Sequence, residues 1–159
     1  MTPIATARST AQLAATWAPS PTMQAPAIAR RQIAEQLEAW SLTGLTDDAE
    51  LVVSELVTNA VTHGSGPIWH SMHVIDHGDG SGLPALEVGD HGSGWSGDLT
   101  VDECPEDFCH GRGLFLVDAV TSIWGHHHLQ GGHVVWACFE TSLSQLAGPC
   151  GDSCIPDAV

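Results

Sequence analysis

The chain contains no lysine and no tyrosine, and its only arginines are Arg8, Arg30, Arg31 and Arg112. Beyond residue 31, Arg112 is the one permanent cation in a 159-residue chain of formal net charge −15. Nucleic-acid binding needs clustered Lys/Arg to displace counterions from phosphates, so that class is excluded. Adhesion to anionic membranes fails on the same ground. Without lysine there is neither a P-loop nor Schiff-base chemistry. No apolar run approaches the ~18 residues of a membrane span, and the start lacks a basic segment followed by an apolar one. No G-x-S-x-G elbow is present. The five cysteines (Cys104, Cys109, Cys138, Cys150, Cys154) are odd in number and unevenly spread, which fits reduced thiols better than a disulfide framework. Cys150-x3-Cys154 has no second ligand pair at zinc-ribbon spacing. These absences lead to the expectation of a soluble cytoplasmic protein. Most of the acidity reads as solubility through self-repulsion.

What is present is a globular composition, 43 % hydrophobic and 14 % charged, long enough for one cored domain. Residues 1–11 lack periodicity and are expected to be disordered; 12–140 form the domain, and 141–159 a flexible tail. Leu13–Trp17 reads as a short strand before Pro19 and Pro21. Pro26 opens a helix over Ala27–Trp40, with Ile28, Ile33, Leu37 and Trp40 at helical spacing. Gly44 separates it from a second helix, capped by Thr46 or Asp47 with a capping box to Glu50, and ending near His63 before Gly64-Ser65-Gly66. Ile68–Asp76 and Leu83–Asp90 read as a hairpin. Residues 91–112 form a long glycine-rich, then acidic, loop. Gly113–Thr121 reads as a helix, and Ser122–His128 and His133–Glu140 as strands turning at Gly131-Gly132. The six tryptophans read as packing residues. No internal repeat is present. The order predicts an α+β, two-layer sandwich with a mixed, mainly antiparallel sheet of about five strands and three helices on one face.

Three groups of residues carry chemistry. Glu55, Asn59 and His63 recur at i, i+4, i+8 as a polar stripe beside the apolar face formed by Val53, Leu56, Val57, Ala60 and Val61. Asn59 and His63 share a flank with Val52, so both are expected to border the core, where desolvated polar groups need partners. The alternative is ordinary polarity at the edge of an amphipathic helix. Asp90-His91-Gly92-Ser93-Gly94 follows directly on a strand. A carboxylate there can accept from an exocyclic amine while glycines let a planar ligand approach; an Asp-Gly turn is the plainer reading. In His110-Gly111-Arg112-Gly113-Leu114, glycines and the sole downstream cation open a helix, an arrangement suited to an anion. The alternative is a solvated arginine beside packing glycines. The spacing is not G-x-G-x-x-G and no helix opens at Gly92, which disfavours a dinucleotide fold.

Taken together, Glu55-x3-Asn59-x3-His63, Asp90-x-Gly92-x-Gly94 and Gly111-x-Gly113-Leu114 resemble the ATP-binding domain shared by gyrases and histidine kinases, the Bergerat-type fold. Glu55-Leu-Val-Thr-Asn-Ala-Val-Thr-His63-Gly64 is similar to the small anti-sigma-factor serine/threonine kinases. The resemblance covers roughly residues 12–140. It implies that Asn59 coordinates Mg²⁺ bridging the ATP phosphates and that Asp90 accepts from the adenine amine, with Gly92 and Gly94 shaping the pocket. His63 belongs to the same nucleotide-binding stripe. Gly111, Arg112, Gly113 and the Leu114 amide would hold phosphates, 95–110 would act as a lid, and Glu55 would orient or deprotonate the attacking hydroxyl. Such a short set suffices for phosphoryl transfer, which needs mostly positioning and charge neutralisation. The implied partners are a sigma factor and its anti-sigma-factor antagonist, with a possible homodimer.

Relatives carry a threonine near the adenine just after the glycine pair, where this chain reads Gly131-Gly132-His133-Val134. That lost hydroxyl and the acidic loop motivate an alternative, a partner-switch module that binds ATP or ADP without transferring phosphate. On the same hairpin, strand alternation is expected to divide His126, His127, His128 and His133 between opposite faces, which argues against a dedicated transition-metal site.

Overall fold

The computed structural model describes residues 13–77, 81–94 and 111–141, with only the backbone described at 76, 111 and 112. The disordered start, the tail beyond 141 and the lid at 95–110 are expectations that lie outside these residues, as does the side chain of Arg112.

The elements are β1 (Ala14–Trp17), α1 (Ala25–Ala39), a 3-10 turn (Thr43–Leu45), α2 (Thr46–His63), β2 (Trp69–Asp76), β3 (Gly82–Asp90), α3 (Gly111–Val120), β4 (Ile123–Leu129) and β5 (Gly132–Cys138). The strands form a single sheet in the order β1-β2-β3-β5-β4. Every neighbouring pair is antiparallel, so the sheet is antiparallel throughout and not mixed. The crossover through α3 brings β4 back parallel to β3 but one place removed, and the β4–β5 hairpin fills the gap.

Alternation along the strands separates two faces. Met72, Val74, Leu86, Val88, Val135 and Ala137 point to the helices and meet Ile33 and Leu37 of α1 and Val52, Val53, Leu56 and Val57 of α2 in the core. Each of the Val, Leu, Ile and Met side chains, when fully buried, stabilises the fold by roughly 1.5–3 kcal/mol. On the opposite face the indoles of Trp69 and Trp136 lie over Gly89 and Gly125, where a Cβ would run into each ring. Trp17, Trp40 and Trp124 pack against the core, so the described tryptophans are packing residues as expected.

Two helix ends differ from the sequence reading. The reversal after α1 is made by Ser41, at φ 59°, and not by Gly44. There Ser41 N–H donates to Glu38 O at 3.0 Å and Leu42 N–H to Leu37 O at 2.8 Å, closing the last turn. At α2 no capping box forms: the 3-10 turn leads straight into the helix, Leu45 takes the N-cap position, and no side-chain cap bond is made. Asp47 therefore lies inside the first turn, where it and Asp48 favour the helix dipole instead.

Candidate functional site

α2 is amphipathic, and its sheet-facing side fixes where its polar stripe falls. Val52 and Val53 are fully buried, and Glu55 and Asn59 are half-buried beside them. His63, the last residue of α2, is exposed, contrary to the expectation that it borders the core.

Glu55 faces the start of α3. Gly113 is buried there, and a Cβ on it would stand 2.5 Å from Glu55 Oε2. The second glycine of the Gly111-Arg112-Gly113 run thus lets the helix opening approach the carboxylate. Leu114 follows, packed against the core, and the first-turn N–H groups of a ten-residue helix lie beside Glu55.

Asp90 ends β3 and is half-buried. Its Oδ1 accepts the Gly92 N–H at 2.6 Å, which fixes the carboxylate's orientation. Glycine backbone crowds the carboxylate at two positions and the main-chain carbonyl of Asp90 at a third. A Cβ at Gly92 would lie 2.7 Å from Asp90 Oδ1, one at Gly64 2.6 Å from its Cγ, and one at Gly132 2.6 Å from its carbonyl oxygen. The end of α2 and the end of β3 are also tied together. His91 N–H donates to Ser65 O at 2.8 Å, and His91 Nδ1, carrying its proton, donates to Pro67 O at 2.9 Å. Gly94, at φ +64°, adopts the left-handed conformation that glycine tolerates.

Val134 pairs with Gly89 and points to the face opposite the helices, whereas Asp90 pairs with His133. The side chain beside Asp90 is therefore His133, and Val134 removes nothing from that spot. Burial chiefly holds the His133 imidazole below its ordinary pKa; His126 adds to this, and the Asp90 carboxylate pulls the other way. On the opposite face, burial and the Glu87 carboxylate push the Cys138 thiol up, so it is no ready nucleophile.

A concavity of about 500 Å³ lies elsewhere, lined by Arg30, Arg31, Glu35, Glu38, Thr43 and Glu50 among others. It includes neither Glu55 nor Asp90. Its charges are mixed, and Arg30 is engaged through a hydrogen bond to Ser54 Oγ at 3.0 Å.

Helices on one face of an antiparallel sheet, a glycine-walled aspartate at a strand end and a glycine-opened helix beside a glutamate define an ATPase-type domain. Residues 18–139 match the model of the histidine kinase-like ATPase domain, and the chain belongs to that family. Its function is accordingly of the ATP-binding, ATPase- or kinase-like class. Among curated proteins none matches the chain. Among the described residues no helix is long and apolar enough to cross a membrane.

Proposed function

We propose that the chain is an ATP- and Mg²⁺-dependent protein serine/threonine kinase of the anti-sigma-factor type, acting in the cytoplasm on an antagonist protein and regulating a sigma factor. The observation that carries this reading is the Glu55 carboxylate set directly against the opening of α3 at Gly113. A base beside a helix N-terminus, whose first-turn N–H groups have no partner within the helix, suits transfer of a phosphoryl group to a hydroxyl.

The residues present fit the substrate. Around Asp90, a Cβ at Gly92 or Gly64 would fill the space next to the carboxylate, so glycine keeps it open. Gly92 N–H holds one oxygen of Asp90, leaving the other to accept from the adenine amine. Gly111, Arg112, Gly113 and the Leu114 amide hold phosphates at the N-terminus of α3. Glu55 takes the proton of the antagonist's hydroxyl as its oxygen bonds to the γ-phosphorus. The bond to the β–γ bridging oxygen breaks, and ADP leaves with that electron pair. Asn59, one turn after Glu55 on α2, would hold Mg²⁺, which supplies the charge neutralisation that a chain with so few cations lacks. His63, exposed at the end of α2, would touch the nucleotide only at its rim.

The test is transfer of labelled γ-phosphate from ATP to candidate antagonists, alongside direct measurement of ATP binding. Glu55→Gln is expected to keep binding ATP while slowing transfer by ~10²–10⁴-fold. Transfer at full rate by Glu55→Gln would overturn the base role. ATP binding without transfer to any antagonist favours the non-catalytic partner-switch module, and absence of ATP binding overturns both.

A further inference from the structure

One strand beyond Asp90 lies a second concentration of chemistry. His126 and His128 are two residues apart on β4 and so share a face, while His127 points away. The β4–β5 register sets His133 directly opposite His128. The three imidazoles therefore converge and are not divided, as single-strand alternation had suggested. One ligand nitrogen from each lies within 4.8 Å of the other two. His133 Nε2 and His126 Nδ1 are already 3.2 Å apart. Two nitrogens on a tetrahedral zinc ion are ~3.3–3.4 Å apart, from Zn–N bonds of ~2.0–2.1 Å. A metal would replace the proton between these two nitrogens, and the exposed His128 ring would close the remaining gap by rotation.

The surroundings suit a cation. His133 is buried, His126 half-buried and His128 exposed, so the cluster is anchored at the sheet and open to solvent on one side. Gly94 closes over it: a Cβ there would stand 2.5 Å from His133 Cδ2 and 3.0 Å from His128 Cε1. The Asp90 carboxylate lies close enough to act electrostatically on His133, adding negative field.

We propose that His126, His128 and His133 bind a divalent transition metal of the zinc class through three imidazole nitrogens, with a fourth position open to water or another small donor. Nitrogen donors select such borderline ions over Mg²⁺ and Ca²⁺, which take oxygen. Three histidines with one open position match the ligand count of solvent-accessible zinc centres. The site uses neither Glu55 nor Asn59, but it adjoins the pocket proposed for adenine at Asp90 and Gly94, so the metal is tested without nucleotide.

The test uses the full chain without an affinity tag and without nucleotide. Co²⁺ is titrated while visible absorption is followed, and then displaced by Zn²⁺. The expected result is one ion per chain, with the intense visible bands of four-coordinate Co²⁺. His128→Ala and His126→Ala should each weaken Zn²⁺ binding by at least ~100-fold, more than loss of an outer-shell partner costs. His127→Ala, on the opposite face of the same strand, should bind as the parent does. Far-UV circular dichroism checks that the variants fold, and His128→Gln at the exposed ligand gives a second, milder substitution. Absence of a one-to-one complex, binding retained in both ligand variants, or equal loss in His127→Ala would each overturn the proposal.

Discussion

The carboxylate of Glu55 on α2 and the backbone of Gly113 on α3 occupy adjoining space with no room for a methyl group between them: a Cβ at 113 would come within 2.5 Å of Oε2. Gly113→Ala must therefore displace either the carboxylate or the first turn of α3. Misplacement of a reacting group by about 1 Å can cost ~10²-fold, so phosphoryl transfer is expected to fall by about that factor. Overpacking should also destabilise the fold by about 1–3 kcal/mol. Single-turnover transfer at saturating ATP, measured beside a denaturant melt, separates the two effects. Wild-type rates in Gly113→Ala would show that the contact does not govern catalysis.

Asp90→Ala removes both the acceptor proposed for the adenine amine and the bond from Gly92 N–H. A hydrogen bond to a charged group contributes ~1.5–3 kcal/mol, so ATP affinity should weaken by about 10- to 100-fold. Asp90→Asn keeps an oxygen for Gly92 but turns the other position into a donor, and should lose affinity for ATP without loosening the loop. Calorimetric titration of both variants is the measurement, and unchanged affinity in both would remove Asp90 from the nucleotide site.

His70 is fully buried on β2, stacked on Trp17 with ring centroids 5.1 Å apart, and neither ring nitrogen has a hydrogen-bond partner. Desolvation lowers its pKa to about 4. The unfolded chain, with an ordinary histidine near 6.5, binds more protons between those values, so stability rises with pH from about 4 to 6.5 and levels off above. The shift corresponds to about 3 kcal/mol. Chemical denaturation across this window should show a steeper pH slope for the parent than for His70→Phe; parallel slopes would remove His70 as the source.

Ser41 holds a left-handed conformation at the end of α1. A non-glycine residue there costs ~1–2 kcal/mol, partly offset by the ~0.5–1 kcal/mol of extra chain entropy that glycine loses on folding. Ser41→Gly is expected to stabilise the protein by ~0.5–1 kcal/mol, seen as a higher Tm. A lower Tm would mean that the serine hydroxyl contributes more than the backbone strain costs.

The order of elements was legible because each has its own period. Ile33 and Leu37 mark a helix face, Val52, Val53, Leu56 and Val57 another, and the strands around Met72 and Leu86 alternate. The sheet-wide antiparallel pairing was not legible, because nothing local states where β5 inserts. Asp47 and Glu50 had the composition of a capping box, yet the 3-10 turn supplies its own bonds, including Leu45 N–H to Leu42 O at 3.0 Å, and carries the chain into α2 without a side-chain cap. The Glu55–Asn59 pair was readable from helical spacing, but the meeting of Glu55 with Gly113 depends on how α2 and α3 pack. The histidine cluster had a signal that went unread. A two-residue turn at Gln130-Gly131 fixes His128 opposite His133, and period two then adds His126.

The scarcity of cations has one more consequence, for how the folded domain meets trypsin. The cleavable bonds after Arg30 and Arg31 lie within α1, and the bond after Arg112 lies in the first turn of α3. Cutting at any of these needs the helix to open, so digestion becomes a local clock for unfolding. Fragments ending at Arg112 would time the fraying of α3, and fragments ending at Arg30 or Arg31 would time the loss of the α1–α2 packing. Apart from the bond after Arg8, which lies outside the described residues, a protease that dissects most proteins into dozens of peptides here counts the openings of two helices.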